Sequence, residues 1–229
     1  DNYVGTMQDQ KWRVGLKLLE KYNLNYDLRI PSWHLIEALQ VIRLIPNVKV
    51  IINHAGFPWD RSKDGILKWK NSLKILANEG NVYIKLSEFG VKNQDWNYEE
   101  NRRIILDIID IFSPSRCMFA SNFPVSSLKI SFDDLYNNYN KIVKNFSLNE
   151  KKDLFYNTAL NVYKLDIKID NYDFEYTYEN ITQDFYSFIS PMGNNNITSI
   201  FINPGYTNLI YLSKFYLLLK NYMYILIDS

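Results

Sequence analysis

Apolar positions along this chain switch between two spacings, one helical and one extended. Residues 7–22, "MQDQKWRVGLKLLEKY", put Trp12, Leu16, Leu19 and Tyr22 at helical intervals. Residues 24–30, "LNYDLRI", read as a short strand. Residues 32–45 are helical again, with Ser32 at the N-cap and Pro46 just past the end. Residues 48–53, "VKVIIN", are β-branched and nearly all apolar, as a strand covered on both faces requires. An amphipathic helix follows over 64–78. Residues 81–87, "NVYIKLS", are the next strand, with Tyr83, Lys85 and Ser87 on one face and Val82, Ile84 and Leu86 on the other. The pattern then predicts a helix over 97–112, a fourth strand over 116–121, and helices over 131–145 and 148–158.

This alternation has the βαβ period, so the expected class is α/β with a parallel sheet and helical crossovers. In open sheets and closed barrels alike, the chemistry of such folds sits at the C-terminal ends of the strands. Those ends fall at residues 29–34, 53–61, 85–88 and 121–124. Past Leu165 the periodicity stops. Residues 166–229 form an aromatic- and Asn-rich tail, unassigned and separate from the domain over 1–165. Its apolar segment 209–227 is interrupted by Lys214 and Lys220. A central Lys costs ~3 kcal/mol on insertion, so a packed or poorly ordered helix is expected there rather than a membrane contact.

Composition narrows the class. The chain is 47% hydrophobic with a net charge of +1, enough apolar residues for a core and no excess charge to attract nucleic acid. Cys117 is the only cysteine, which excludes an internal disulfide and fits a cytoplasmic setting. The polar opening carries no apolar leader and does not begin with Met, so a fragment or processed product is expected.

The candidate chemistry gathers at the strand ends. His54 closes the buried strand in "VKVIINHAGFPWDRS". It can polarise a carbonyl, act as general acid or base, or bind a metal; it can also simply hydrogen-bond its own loop. One His makes no zinc site, and no H-x-H, H-E-x-x-H or Cys cluster is present. His34 either lines the same mouth or sits half exposed in a first helical turn. Arg29 either grips a substrate carboxylate or pairs with a loop acid. Lys85 stands in an apolar strand, facing the mouth or paired with Glu88 or another acid. Trp59 and Arg61 of the loop after His54 are further substrate-binding candidates. Asn122 can orient a water or a carbonyl but cannot accept a proton as a base. Arg116 and Cys117 read as structural.

Taken together, "NYDLRI", "HLIEAL", "VIINHAGFPWDRS", "NVYIKLSEFG", "RCMFASNFPVSSL" and "LFYNTALNVYKL" resemble the amidohydrolase-related TIM-barrel hydrolases. That family includes fuconolactonases, rhamnonolactonases and pyrone dicarboxylate lactonases. The resemblance implies a distorted (β/α)8 barrel that hydrolyses a lactone or similar small carbonyl compound. A complete barrel takes about 250 residues, so residues 1–165 are expected to form its C-terminal part, with the first strands missing. It implies His54 as the middle-strand catalytic His and puts Asn122 where the family carries an Asp. A divalent metal, zinc or manganese, or no metal at all, is compatible with it. The alternative is a truncated or non-catalytic homologue serving as a fold fragment or interaction module. Unpaired strand edges in a partial barrel would favour a homo-oligomer.

Overall fold

All four expected strands form, and they lie side by side in chain order. The structure is a computed structural model that describes residues 2–165. Strands β1 (Tyr26–Leu28), β2 (Val50–Ile52), β3 (Val82–Leu86) and β4 (Cys117–Phe119) make one parallel sheet of order β1-β2-β3-β4. The register sets Leu28, Ile52, Ile84 and Cys117 in one cross-strand row and Asp27, Ile51 and Tyr83 in another, with Lys85 beside Met118. Helices α3 (Leu35–Ile42), α4 (Lys63–Ala77) and α5 (Tyr98–Phe112) are the crossovers. The sheet is part of a barrel of the TIM type.

Both faces of β2 are buried, as its unbroken apolar run demands. β3 alternates instead, with Val82, Ile84 and Leu86 fully buried and Tyr83 and Lys85 only half buried. The face carrying Ile51 and Met118 is closed by α8 (Thr158–Tyr163), whose Val162 packs on both, with Tyr83, Ala159 and Tyr163 around them. Burying each such aliphatic side chain is worth ~1.5–3 kcal/mol, which pins α8 to the sheet.

Several helices differ from the sequence expectation at their ends, each for a local reason. The helix expected over 7–22 breaks into α1 (Asn2–Gln8) and α2 (Gln10–Lys21), because the Asp9 carboxylate accepts the Trp12 amide at 2.8 Å and starts a new helix. Ser32 is not an N-cap: residues Ser32–His34 form a 3-10 turn, and α3 begins only at Leu35. The α3 end tightens into i to i+3 bonds ahead of Pro46, which disfavours helical backbone at Ile45. Ser62, Asn97 and Ser131 cap α4, α5 and α6 (Phe132–Ile142). The last helix starts with a Ser147–Glu150 capping box at α7 (Leu148–Lys152), passes through a π-helical stretch Asp153–Asn157 and continues as α8. Among the described residues no helix is long and apolar enough to cross a membrane. The tail 166–229, with its apolar segment 209–227, lies outside the described residues.

Candidate active site

The loops that leave the C-terminal ends of the four strands carry most of the strained backbone of the described chain. His54, Ala55, Phe57, Glu88 and Asn122 all have φ between 50° and 55°. For residues with a side chain this left-handed region costs of order 1–3 kcal/mol, and it persists only where surrounding structure holds it. After β2 the holding contacts are explicit. Trp69 donates its indole Nε1–H to the carbonyl of Ala55 at 2.8 Å. Gly56, at φ 64°, lies so close to Leu35 that a Cβ there would stand 3.1 Å from its Cδ1. Only glycine suits both the dihedral and the space.

This 3-10 turn, Asn53–Gly56, aims His54 at β3, where its Nδ1 lies 2.9 Å from the Oγ of buried Ser87. Burial holds the imidazole below its ordinary pKa, and the charges of Arg29 and Lys85 push the same way, with Asp27 opposing. Burial thus favours the neutral form of the His54 imidazole. The edge-to-face Phe57 ring, 5.1 Å away, packs against it, and the Arg29 guanidinium stacks over the same Phe57 ring at 5.2 Å. Trp59 packs on Phe57 at 4.6 Å, and Trp33 on Trp59 at 6.2 Å. Trp33 and Trp59 remain 59% and 42% exposed, a wide aromatic rim beside the histidine.

The other expected residues fall into three groups. Asn122, after β4, donates its side-chain amide to the Glu88 carboxylate, after β3. Burial raises the Glu88 pKa, and Arg29 pulls it back down. Lys85 is ion-paired, but with Asp27 rather than Glu88: its Nζ is 2.6 Å from Asp27 Oδ2 and 5.2 Å from the Tyr163 ring. The Tyr163 hydroxyl donates to Asp27 Oδ1 at 2.8 Å. Lys85 thus reaches His54 through its charge. His34 ends the turn before α3, with its Nδ1 3.5 Å from Glu37 and its ring against Trp33. Arg61 is largely buried under the loop after β3, donating from Nη2 to the Phe89 carbonyl at 3.0 Å, while its Nε and Nη1 donate to no partner among the described residues. Burial lowers its pKa, with Glu100 opposing. Arg116 ties its own turn to the end of α4 through the Ala77 carbonyl at 2.9 Å, and Cys117 is a buried thiol with its pKa pushed up, so both are structural as expected.

Of these groups Trp59 and Glu88 line a cleft of about 480 Å³, together with Gly90, Lys92, Val125 and Leu128. That is the size of a small-molecule site. Among the described residues no three His, Cys, Asp or Glu side chains are grouped to hold a metal ion. Asp27, the acid whose charge acts on His54, is already held by Lys85 and Tyr163. The zinc or manganese ion that the resemblance allows has no three-ligand set there.

Sequence reasoning passed over Glu88 and Ser87. Both sit where β3 ends, and an acid directly after a strand's apolar run was the available signal. Asp27 and Tyr163 gave none, because their pairing with Lys85 joins β1, β3 and α8 across the sheet.

Comparison with known proteins identifies the family. The Amidohydrolase family matches residues 4–165. The uncharacterized protein y4mH of Sinorhizobium fredii is 37% identical over 155 residues, covering 68% of this chain and 52% of that protein. The L-fucono-1,5-lactonase of Burkholderia multivorans is 34% identical over 97 residues, 38% of this chain and 32% of that enzyme. The chain thus spans about half or less of the length of the curated relatives it matches. Among solved structures, an amidohydrolase from Burkholderia multivorans with bound HEPES superposes with a TM-score of 0.68 at 22% identity, over 71% of this chain and 60% of that one. At that identity the likeness speaks for the fold. With the family match running over most of its length, the chain belongs to the amidohydrolase family.

Proposed function

We propose that the protein hydrolyses a lactone or a similar small carbonyl compound by adding water to the carbonyl carbon. The observation that carries this reading is the His54–Ser87 pair at the ends of β2 and β3, with His54 in left-handed backbone and packed on Phe57, which also carries Arg29 and the cleft residue Trp59. The similarity to a lactonase supports the substrate class. With Ser87 donating its hydroxyl to Nδ1, the His54 proton sits on Nε2, free to donate to a carbonyl oxygen. A neutral imidazole held so develops no charge before the transition state, and donates most strongly when the oxygen becomes an oxyanion. Arg29, fixed over Phe57, adds a positive charge on the same side. Trp59 and Trp33 offer flat apolar faces to a sugar ring or other small ring. Residues 1–165 act as the catalytic part of the barrel, and the tail 166–229 is a separate element.

The test is hydrolysis of a lactone panel by the full chain and by His54→Asn. We expect kcat to fall about 100-fold or more with the fold intact. An unchanged kcat/KM would remove His54 from the reaction. A second reading, a non-catalytic homologue serving as an interaction module, draws on Asn122, whose amide cannot be a base. It predicts no turnover of any lactone by the full chain.

A further inference from the structure

An ester hydrolysis needs a group to take a proton from water, and His54, poised as a donor, leaves that role open. Glu88 has the geometry for it. Its Oε2 accepts the Asn122 amide, which fixes the carboxylate between β3 and β4. Its Oε1 accepts no hydrogen bond from the described residues, and stands 3.9 Å from where a side chain on Gly90 would begin. Glu88 lines the 480 Å³ cleft together with Trp59, Val125 and Leu128. The backbone supports the placement at a cost. Glu88 has φ 55° and Asn122 φ 52°, so both partners of the pair sit in the left-handed region. An ordinary solvated glutamate would not need that backbone, and a structural salt bridge would point it at Lys85, which instead pairs with Asp27.

We infer that Glu88 is the proton acceptor of this site and that Asn122 is its positioning residue, the inference resting on the hydrolase reading above. In the step, the Glu88 carboxylate takes one proton from water while the water oxygen bonds to the carbonyl carbon. The carbonyl π pair moves to its oxygen, facing His54. When that pair returns, the bond from carbon to the ring oxygen breaks, and Glu88 gives its proton to the departing alkoxide. Water and a lactone become a hydroxy acid, and the enzyme is unchanged. The amide in place of a second acid then has a purpose: a carboxylate at position 122 would repel Glu88, whereas an amide donates to it.

Glu88→Gln is nearly isosteric and tests this directly. With a lactone that the wild-type chain turns over, we expect kcat to fall about 100-fold or more while KM changes little, and added formate to restore part of the rate. The groups facing Glu88 are Arg29 beyond β1, Lys92 and Lys129 on the cleft wall, and Tyr139 on α6. None of them changes in Asn122→Ala, so that variant isolates the amide. Losing its hydrogen bond to the charged form should move the acid limb of the kcat/KM profile to higher pH. Carboxyl NMR titration, with Glu88→Gln to assign the signal, should show the same upward move without any substrate. Glu88→Gln keeping more than a third of the wild-type kcat would overturn the inference, as would a Glu88 signal indifferent to Asn122→Ala. If the wild-type chain turns over no lactone, the lactone reading fails by itself and the titration decides. A signal coupled to Asn122 then supports a proton acceptor for another carbonyl compound, and an uncoupled one overturns it.

Discussion

His54 and Ser87 meet at 2.9 Å across the ends of two adjacent parallel strands, and the hydroxyl fully buries itself to reach the ring. Ser87→Ala should leave the imidazole free to rotate and to change tautomer. We expect a loss of about 10-fold in kcat, with the chain as stable as wild type within ~1 kcal/mol, since one neutral hydrogen bond is worth about that. Steady-state kinetics and urea unfolding check both halves. A loss of stability without a loss of rate would make Ser87 a core residue only.

Lys85 and Arg29 both hold down the His54 pKa, after burial. Lys85→Met removes one of these positive charges, so His54 should titrate at higher pH in the variant. The chain has two histidines, so the ring protons are readily assigned by comparison with His54→Asn. An unchanged titration would show that Asp27 neutralises Lys85 completely as seen from His54.

The same depressed pKa sets a stability profile. The unfolded chain takes up a proton on His54 near its ordinary value of about 6.5, while the folded chain resists until lower pH. The contribution of His54 is therefore fully present above about pH 6.5 and is lost as pH falls through the folded value. Glu88 has the opposite sign: its raised pKa makes the ionised form unfavourable in the fold, a contribution present below the unfolded value and lost as pH rises. Melting temperature against pH should fall below about 6.5, less steeply in His54→Asn, and Glu88→Gln should raise it near pH 7. Parallel curves for wild type and His54→Asn would contradict the assignment.

Gly56→Ala should destabilise the chain by about 2 kcal/mol or more, because the new Cβ meets Leu35 at 3.1 Å and the φ of 64° disfavours any side chain. Trp69→Phe removes the indole donor to the Ala55 carbonyl and should cost ~1–3 kcal/mol. Urea denaturation measures both. In each variant kcat should fall along with stability, because the same turn carries His54.

Among the described residues the outer strands β1 and β4 each pair on one side only. Open edges template further pairing, so the chain should associate with concentration. Sedimentation across a tenfold concentration range measures it, and a single monomeric species throughout would show that the edges are covered.

The order of elements was legible in the chain because periodicity is local. "VKVIIN" could only be a strand buried on both faces, and "VYIKLS" announced its two faces by alternation. The same reading placed His54 and Asn122 at strand ends, since in a parallel sheet strand direction alone puts them at one rim. Helix ends were less legible. Ser32 looks like a cap in sequence, yet the turn Ser32–His34 leaves it no helix to cap. What packing alone decided was the partners. Lys85 is four residues from neither of its contacts: Asp27 comes from β1 and Tyr163 from α8, joined only when α8 closes the face of the sheet. Glu88 finds Asn122 because β3 and β4 are neighbours in register, Leu86 beside Phe119. Charge, burial and hydrogen-bond partners are properties of that through-space arrangement, so the residues at the strand ends could be named from the sequence, while which of them meet rests on the fold.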